Sequence, residues 1–175
     1  MVETEHLEQY RTLIQEIPLF SYLTDDELGD FLSRVEILHY EKGEKIIHLG
    51  DVSPYFYGVV KGKVHVSLHE LEGNDVFICS IGEGEIFGET AIFMTEKRTA
   101  HVTSSEDAVV LRMHRKDMMS FIKDNPPAGN KILMLIIHSL LSKLREANQE
   151  LAFEKQSVID LNDLDSLVQD FMEES

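Results

Sequence analysis

Apolar residues near the start of the chain recur at a helical spacing: Leu7, Tyr10, Leu13 and Ile14 share one face of residues 4 to 16. Thr24-Asp25-Asp26-Glu27 opens a second helix through Leu28, Phe31, Leu32 and Val35. A threonine followed three residues later by a glutamate can satisfy two free amides reciprocally. From His39 to Met113 the texture changes to short β-branched and aromatic runs. Turn signals cut these at Lys42-Gly43, Gly50-Asp51, Lys61-Gly62, Glu72-Gly73-Asn74, Gly82 to Gly84 and Ser104-Ser105-Glu106-Asp107. Short strands between closely spaced turns predict a compact antiparallel roll.

Helical spacing returns at Lys116 to Lys123, and Asn125-Pro126-Pro127 both breaks that helix and starts the next. From about Pro127 to Phe153, Leu133, Ile137, Leu140, Leu144, Ala147 and Leu151 alternate at four and three residues, the seam of a two-stranded coiled coil. That seam predicts a homodimer through the long C-terminal helix. Ile132, Leu135, Ile136 and Leu141 lie off the seam and are assigned to face the roll. After Gln156, one face carries Ile159 or Leu161, Leu164, Leu167 or Val168, and Phe171, with acids opposite. Such a tail packs on its own domain or enters the groove of a protein effector, and the pattern leaves both readings open. The fold class is therefore α+β: an antiparallel, jelly-roll-like β-roll flanked by N-terminal helices and a long C-terminal helix. Its parts are a helical segment 1–38, the roll 39–115, the hinge and long helices 116–156, and an acidic tail 157–175.

Charge narrows the function. Among 175 residues, 32 are acidic and 16 basic, so the formal charge is −16 and the surface repels phosphate backbones. Nucleic acid is excluded as a partner, and an anionic small molecule requires a local cationic pocket. The single cysteine, Cys79, excludes an internal disulfide or a four-cysteine zinc site and is expected as a buried thiol. Of the eight histidines only His65 and His69 approach ligand spacing, and four residues of strand span about 13 Å, so no metal is expected. The longest apolar run, Ile132 to Ile137, is too short for a bilayer, and the N-terminus is acidic, so no membrane partner is expected and the expected compartment is the cytoplasm. No nucleophile stands beside a base and no ligand set is built to activate water, so a catalytic role is not expected.

One stretch, Gly84 to Ala100, combines glycines, a carboxylate and an arginine. Gly88 permits close backbone approach, and Glu89 to Met94 is long enough for one or two helical turns with free N–H groups at the start. Arg98, nine residues after Glu89, offers a guanidinium fork suited to two phosphate oxygens. A carboxylate beside a phosphate is repulsive unless it serves another group, and Glu89 can accept from a sugar hydroxyl. Acid for sugar and base for phosphate is the pattern of a nucleotide reader.

These residues resemble the cyclic-nucleotide-binding domains shared by the catabolite activator protein, protein kinase regulatory subunits and cyclic-nucleotide-gated channels. The likeness begins at Ile17-Pro18-Leu19-Phe20 and Leu23 to Leu28, and continues through Lys42 to Ile47, Gly50-Asp51 and Tyr57 to Val66. It ends with Phe87-Gly88-Glu89 and Arg98-Thr99-Ala100 at the family's spacing. The resemblance implies that cAMP or cGMP is the ligand, with Gly88 and Ala91 offering backbone N–H groups, Glu89 holding the ribose 2′-hydroxyl and Arg98 the cyclic phosphate. It adds Thr90 to the same set, sets Thr99 against phosphate, base or both, and makes Asn148 on the long helix a reader of the base edge. Lys97 stands where many members carry a proline, giving a less rigid return loop with a second cation. Only about twenty residues follow the long helix, so no winged DNA-reading domain is expected. The implied function is a sensor that signals by moving its C-terminal helix; the alternative is an interaction or scaffold module of the same fold that binds no nucleotide or another effector.

Overall fold

A computed structural model describes residues 4–18, 20–69 and 75–173, with side chains between Gln9 and Phe153 apart from His69 and Asp75. Helix α1 spans Thr4–Glu16 and α2 Asp25–Leu32. Both arms of the expected capping box form at α2: the Glu27 amide donates to Thr24 Oγ1 at 3.3 Å, and the Thr24 amide to Glu27 Oε2 at 2.9 Å. A cap of this kind contributes about 1 kcal/mol.

The roll consists of β1 (Val35–Tyr40), β2 (Lys45–Ile47), β3 (Tyr55–Lys61), β4 (Val64–His69), β5 (Asp75–Ile81), β6 (Ile86–Phe87), β7 (His101–Ser104) and β8 (Ala108–His114), with helix α3 (Thr90–Phe93) between β6 and β7. Two four-stranded sheets result, in the orders β1-β8-β3-β6 and β2-β7-β4-β5, and every pairing is antiparallel. The strands begin at Val35, four residues before the change of texture at His39, because Val35 pairs with Met113 instead of extending α2. The turn expected at Glu72-Gly73-Asn74 lies outside the described residues.

Two kinds of strand follow from what covers them. Strand β7 alternates half-buried with buried, one face being inward. Strands β3 and β8 are buried almost throughout because both faces are covered. Inside, Tyr57, Val59, Val64, Ile81, Phe87, Val102 and Val110 form the core of the roll. Outside, α1 packs on β3, and α4 (Arg115–Asp124) packs on β8. Phe31 of α2 packs between Phe20, which follows α1, and Phe121 of α4, with ring centroids 4.6 Å and 5.3 Å apart. Strand β5 is the outer strand of its sheet, and Val76 to Ser80 are exposed on both of its faces. Cys79 is therefore exposed, a correction to the expected buried thiol.

Helix α5 spans Pro126–Glu173. It runs on past Phe153, the expected end of the long helix, and no glycine or proline follows Gly129. The chain divides into two compact units, one ending at Leu135 and one starting at Ile136. In the second, Ile137, Leu141, Leu144 and Leu151 are all exposed, so Leu141 joins the outward stripe and Leu140 is half-buried beside it. The apolar positions expected on the tail, Ile159 to Phe171, lie outside the described side chains. Among the described residues no helix is long and apolar enough to cross a membrane.

Candidate functional site

Residues 86–101 form a strand, a tight turn, one helical turn and a return into β7. Ile86 and Phe87 pair with Gly58 and Tyr57, and the rings of Phe87 and Tyr57 stack at 5.0 Å with 8° between their planes. That stack fixes where the chain leaves the sheet. Gly88 follows with φ +68°, a left-handed conformation that side chains rarely adopt. A Cβ at this position would lie 2.8 Å from Arg98 Nη1, so the glycine is needed for the turn and for the arginine alike.

The Arg98 guanidinium donates from Nη1 to the Gly88 carbonyl at 3.2 Å and from Nη2 to the Tyr55 carbonyl. Its Nε is buried with no hydrogen-bond partner among the described residues. Its main chain is gripped from both sides: the Arg98 amide donates to Asp51 O at 2.7 Å, and the Gly50 amide to Arg98 O at 2.8 Å. The turn containing Gly50 and Asp51 thus sets the backbone that carries the guanidinium.

Glu89 and Arg98, 6% and 8% exposed, are the only charged side chains buried among the described residues. Burying a charge is unfavourable unless it is paired. Burial pulls the Arg98 guanidinium below its ordinary range, and Tyr57, Glu89 and Asp51 offset only part of this. Two neutral carbonyls and a spare N–H leave a desolvated cation that an anion would complement. The donor set suits a phosphate.

The expected site residues are placed as follows. Gly88, Glu89, Ala91 and Arg98 come together; Thr90 and Thr99 flank them with exposed side chains. The Ala91 amide donates to the Gly88 carbonyl at 3.1 Å, because α3 is a single turn closing on itself. Asn148 lies on α5 in the second compact unit, where its side chain is exposed. Lys97 is exposed and forms an isolated antiparallel bridge to Val52. Sequence reasoning missed the Tyr55 carbonyl, which no side-chain pattern reveals. It found Gly50-Asp51 only as a turn, without its grip on Arg98. Among the described residues no group of three His, Cys, Asp or Glu is placed to hold a metal.

A family model of the cyclic nucleotide-binding domain matches residues 37–125, from β1 to the end of α4. The chain belongs to this family. The cyclic AMP receptor protein of Thermus thermophilus is 31% identical over 134 residues, covering 77% of this chain and 60% of that protein. Human cGMP-dependent protein kinase 2 is 34% identical over 104 residues, which are 58% of this chain but 14% of the kinase. The chain thus spans little more than half of the first relative and a small part of the second, and neither whole protein's activity transfers with the match. Among solved structures, a cyclic nucleotide-binding domain from Methylobacillus flagellatus superposes with a TM-score of 0.72 at 20% identity, covering 83% of this chain and 82% of that one. The Thermus thermophilus catabolite activator protein gives 0.65 at 31% identity, covering 78% and 62%. In this cyclic nucleotide-binding domain the matched span contains the roll, the Gly88 turn and Arg98.

Proposed function

We propose that this domain binds a cyclic purine nucleotide, cAMP or cGMP, between Gly88 and Thr99 and acts as a sensor without catalytic activity. The observation that carries the reading is Arg98: a buried guanidinium hydrogen-bonded to two carbonyls, with an Nε that has no hydrogen-bond partner among the described residues and a charge that burial still pulls downward. In this reading Arg98 takes the cyclic phosphate, which replaces the Gly88 and Tyr55 carbonyls as its partner. The Ala91 amide turns from Gly88 to the same phosphate, joined by the amides of Gly88 and Thr90. Glu89 accepts from the ribose 2′-hydroxyl, and Thr99 lies beside the phosphate and base. Asn148 is retained as a candidate ligand residue from the sequence alone.

Calorimetric titration with cAMP and with cGMP tests this reading and separates the two purines. Saturable binding of either, lost in Arg98→Ala, is expected; heat indistinguishable from dilution with both would favour a scaffold of the same fold. Unchanged nucleotide after prolonged incubation is expected of a non-enzyme, and appearance of the linear monophosphate would contradict it. A homodimer through α5 is part of the proposal, supported by the exposed stripe Ile137, Leu141, Leu144 and Leu151. Light scattering is expected to give twice the 20.0 kDa chain mass. For the acidic tail 157–175 the sequence pattern supports two roles, packing on its own domain or docking on a protein effector, and the charge of −16 supports the absence of nucleic acid among the partners.

A further inference from the structure

The turn that grips Arg98 is itself fastened by a histidine. The Leu49 amide donates to His101 Nδ1 at 3.1 Å. A ring nitrogen that accepts must carry its lone pair, so in the neutral ring the proton sits on Nε2. The two residues after Leu49 hold the Arg98 main chain, Gly50 through its amide and Asp51 through its carbonyl. A second bond, from the Asp51 amide to His48 O at 3.2 Å, closes the turn on itself. One short path therefore runs from the His101 ring through Leu49 to Gly50 and Asp51, and from them to the backbone of Arg98.

We propose that His101 is a positioning residue for Arg98: its neutral ring fastens the turn between β2 and β3, and protonation at Nδ1 releases the turn and weakens anion binding. The inference rests on the reading of Arg98 as the phosphate ligand. Protonation makes both ring nitrogens donors, so the Leu49 N–H faces another N–H and loses its acceptor. Loss of one such bond corresponds to about a fivefold change in an equilibrium. The proposed direction follows from the donor count: a neutral ring accepts the Leu49 amide and holds the turn, a protonated one cannot, so affinity is expected to be lower in acid.

Other titratable or charged groups stand on the elements around the ring. His48 presents its ring edge-on to His101, with centroids 6.1 Å apart at 87°. Asp51 lies on the same turn and Lys97 on the return to β7. Lys45 on β2 and His65 on β4 both pair with Thr103, two residues beyond His101. Because His48 and His65 also carry imidazoles, only substitution of His101 itself assigns the effect.

His101→Asn keeps an acceptor, the side-chain amide oxygen, and removes the titration; His101→Leu removes both. Amide exchange of Leu49, Gly50 and Arg98, corrected for intrinsic rates, is compared at about pH 8 and about pH 5.5 in protein without nucleotide. Protection in the wild type is expected to fall about fivefold in acid, to stay level in His101→Asn and to be low at both pH values in His101→Leu. Calorimetry with cAMP is expected to follow the same order. Protection independent of pH in the wild type, the same acid loss in His101→Asn, or wild-type protection in His101→Leu would each overturn the proposal. If the amides respond as expected but neither cAMP nor cGMP binds, the clamp stands and the nucleotide reading fails.

Discussion

At the junction of α2 and α4, Arg34 is held by carboxylates, whereas Arg98 beside the Gly88 turn is held by carbonyls. Arg34 Nη2 reaches Asp30 Oδ2 at 3.0 Å and Asp124 Oδ2 at 2.9 Å, and Asn125 Nδ2 donates to Asp30 Oδ2 at 2.6 Å. Burial works against the Arg34 charge, yet the hydrogen bonds from Asp124 and Asp30 hold it above the ordinary guanidinium range. At Arg98 burial wins and the shift is downward. Arg112 agrees with Arg34: burial opposes its charge too, but Glu36 at 2.5 Å outweighs that, and Tyr55 covers the guanidinium at 4.4 Å. An arginine whose charge is matched within the fold ties elements together. One left unmatched while buried is available to something outside the fold.

The largest expected effect is on ligand affinity. Arg98→Ala should weaken cyclic nucleotide binding by about 2–5 kcal/mol, read by calorimetry, while the fold loses little. Replacing the same residue by methionine sharpens the contrast, since removing an unmatched buried charge in favour of an apolar chain is often neutral or stabilising. A large fall in melting temperature for Arg98→Met would show that the two arginines are alike after all.

Gly88→Ala should affect both properties. Left-handed backbone costs an alanine about 1–2 kcal/mol, and the new Cβ meets Arg98 Nη1 at 2.8 Å. Chemical denaturation and nucleotide titration should therefore both register the change.

Arg34→Ala should do the opposite of Arg98→Ala, lowering unfolding free energy by about 1–2 kcal/mol through loss of charged hydrogen bonds that are partly screened by solvent. Nucleotide affinity should not move. If affinity falls with stability intact, the division between tie and ligand site is wrong.

The smallest effect is a pH dependence confined to the helical junction. The Arg34 hydrogen bond holds the Asp124 carboxyl below its ordinary range, and the Thr24 backbone amide does the same for Glu27. A carboxyl depressed in the folded state contributes stability above its unfolded value, about 3.9 for aspartate and 4.3 for glutamate. That contribution is lost as pH falls through the depressed value. Melting temperatures between about pH 5 and about pH 2.5 should fall less steeply in Arg34→Ala and in Glu27→Gln than in the wild type. Equal slopes in all three would remove these groups from the acid response.

Much of this molecule was legible in the chain because it depends on near neighbours. The capping box at Thr24 and Glu27, the turns at Gly43, Gly50, Gly62 and Gly84, and the proline start of α5 are local signals. All appear in the structure. The site was legible as a spacing, Gly88-Glu89 followed by Arg98, without its supports. Cys79 misled because a cysteine in an apolar run is usually buried; that β5 would be an outer strand is a matter of sheet order, which no run of residues encodes.

By itself the sequence determined the order of helices and strands though not all their ends, where the chain turns, and that one arginine stands among glycines in an acidic protein. Periodicity, capping and backbone freedom act over a few residues, so they can be read without folding the chain. Tertiary structure decided what Arg98 faces. The Tyr55 carbonyl lies 43 residues away from it along the chain, and the Gly50-Asp51 turn lies farther still. Whether a guanidinium meets a carboxylate, as Arg34 does, or two carbonyls depends on which distant strands the core brings together. Burial then converts that accident of neighbours into an unmatched charge, because desolvation acts on whatever the packing leaves inside.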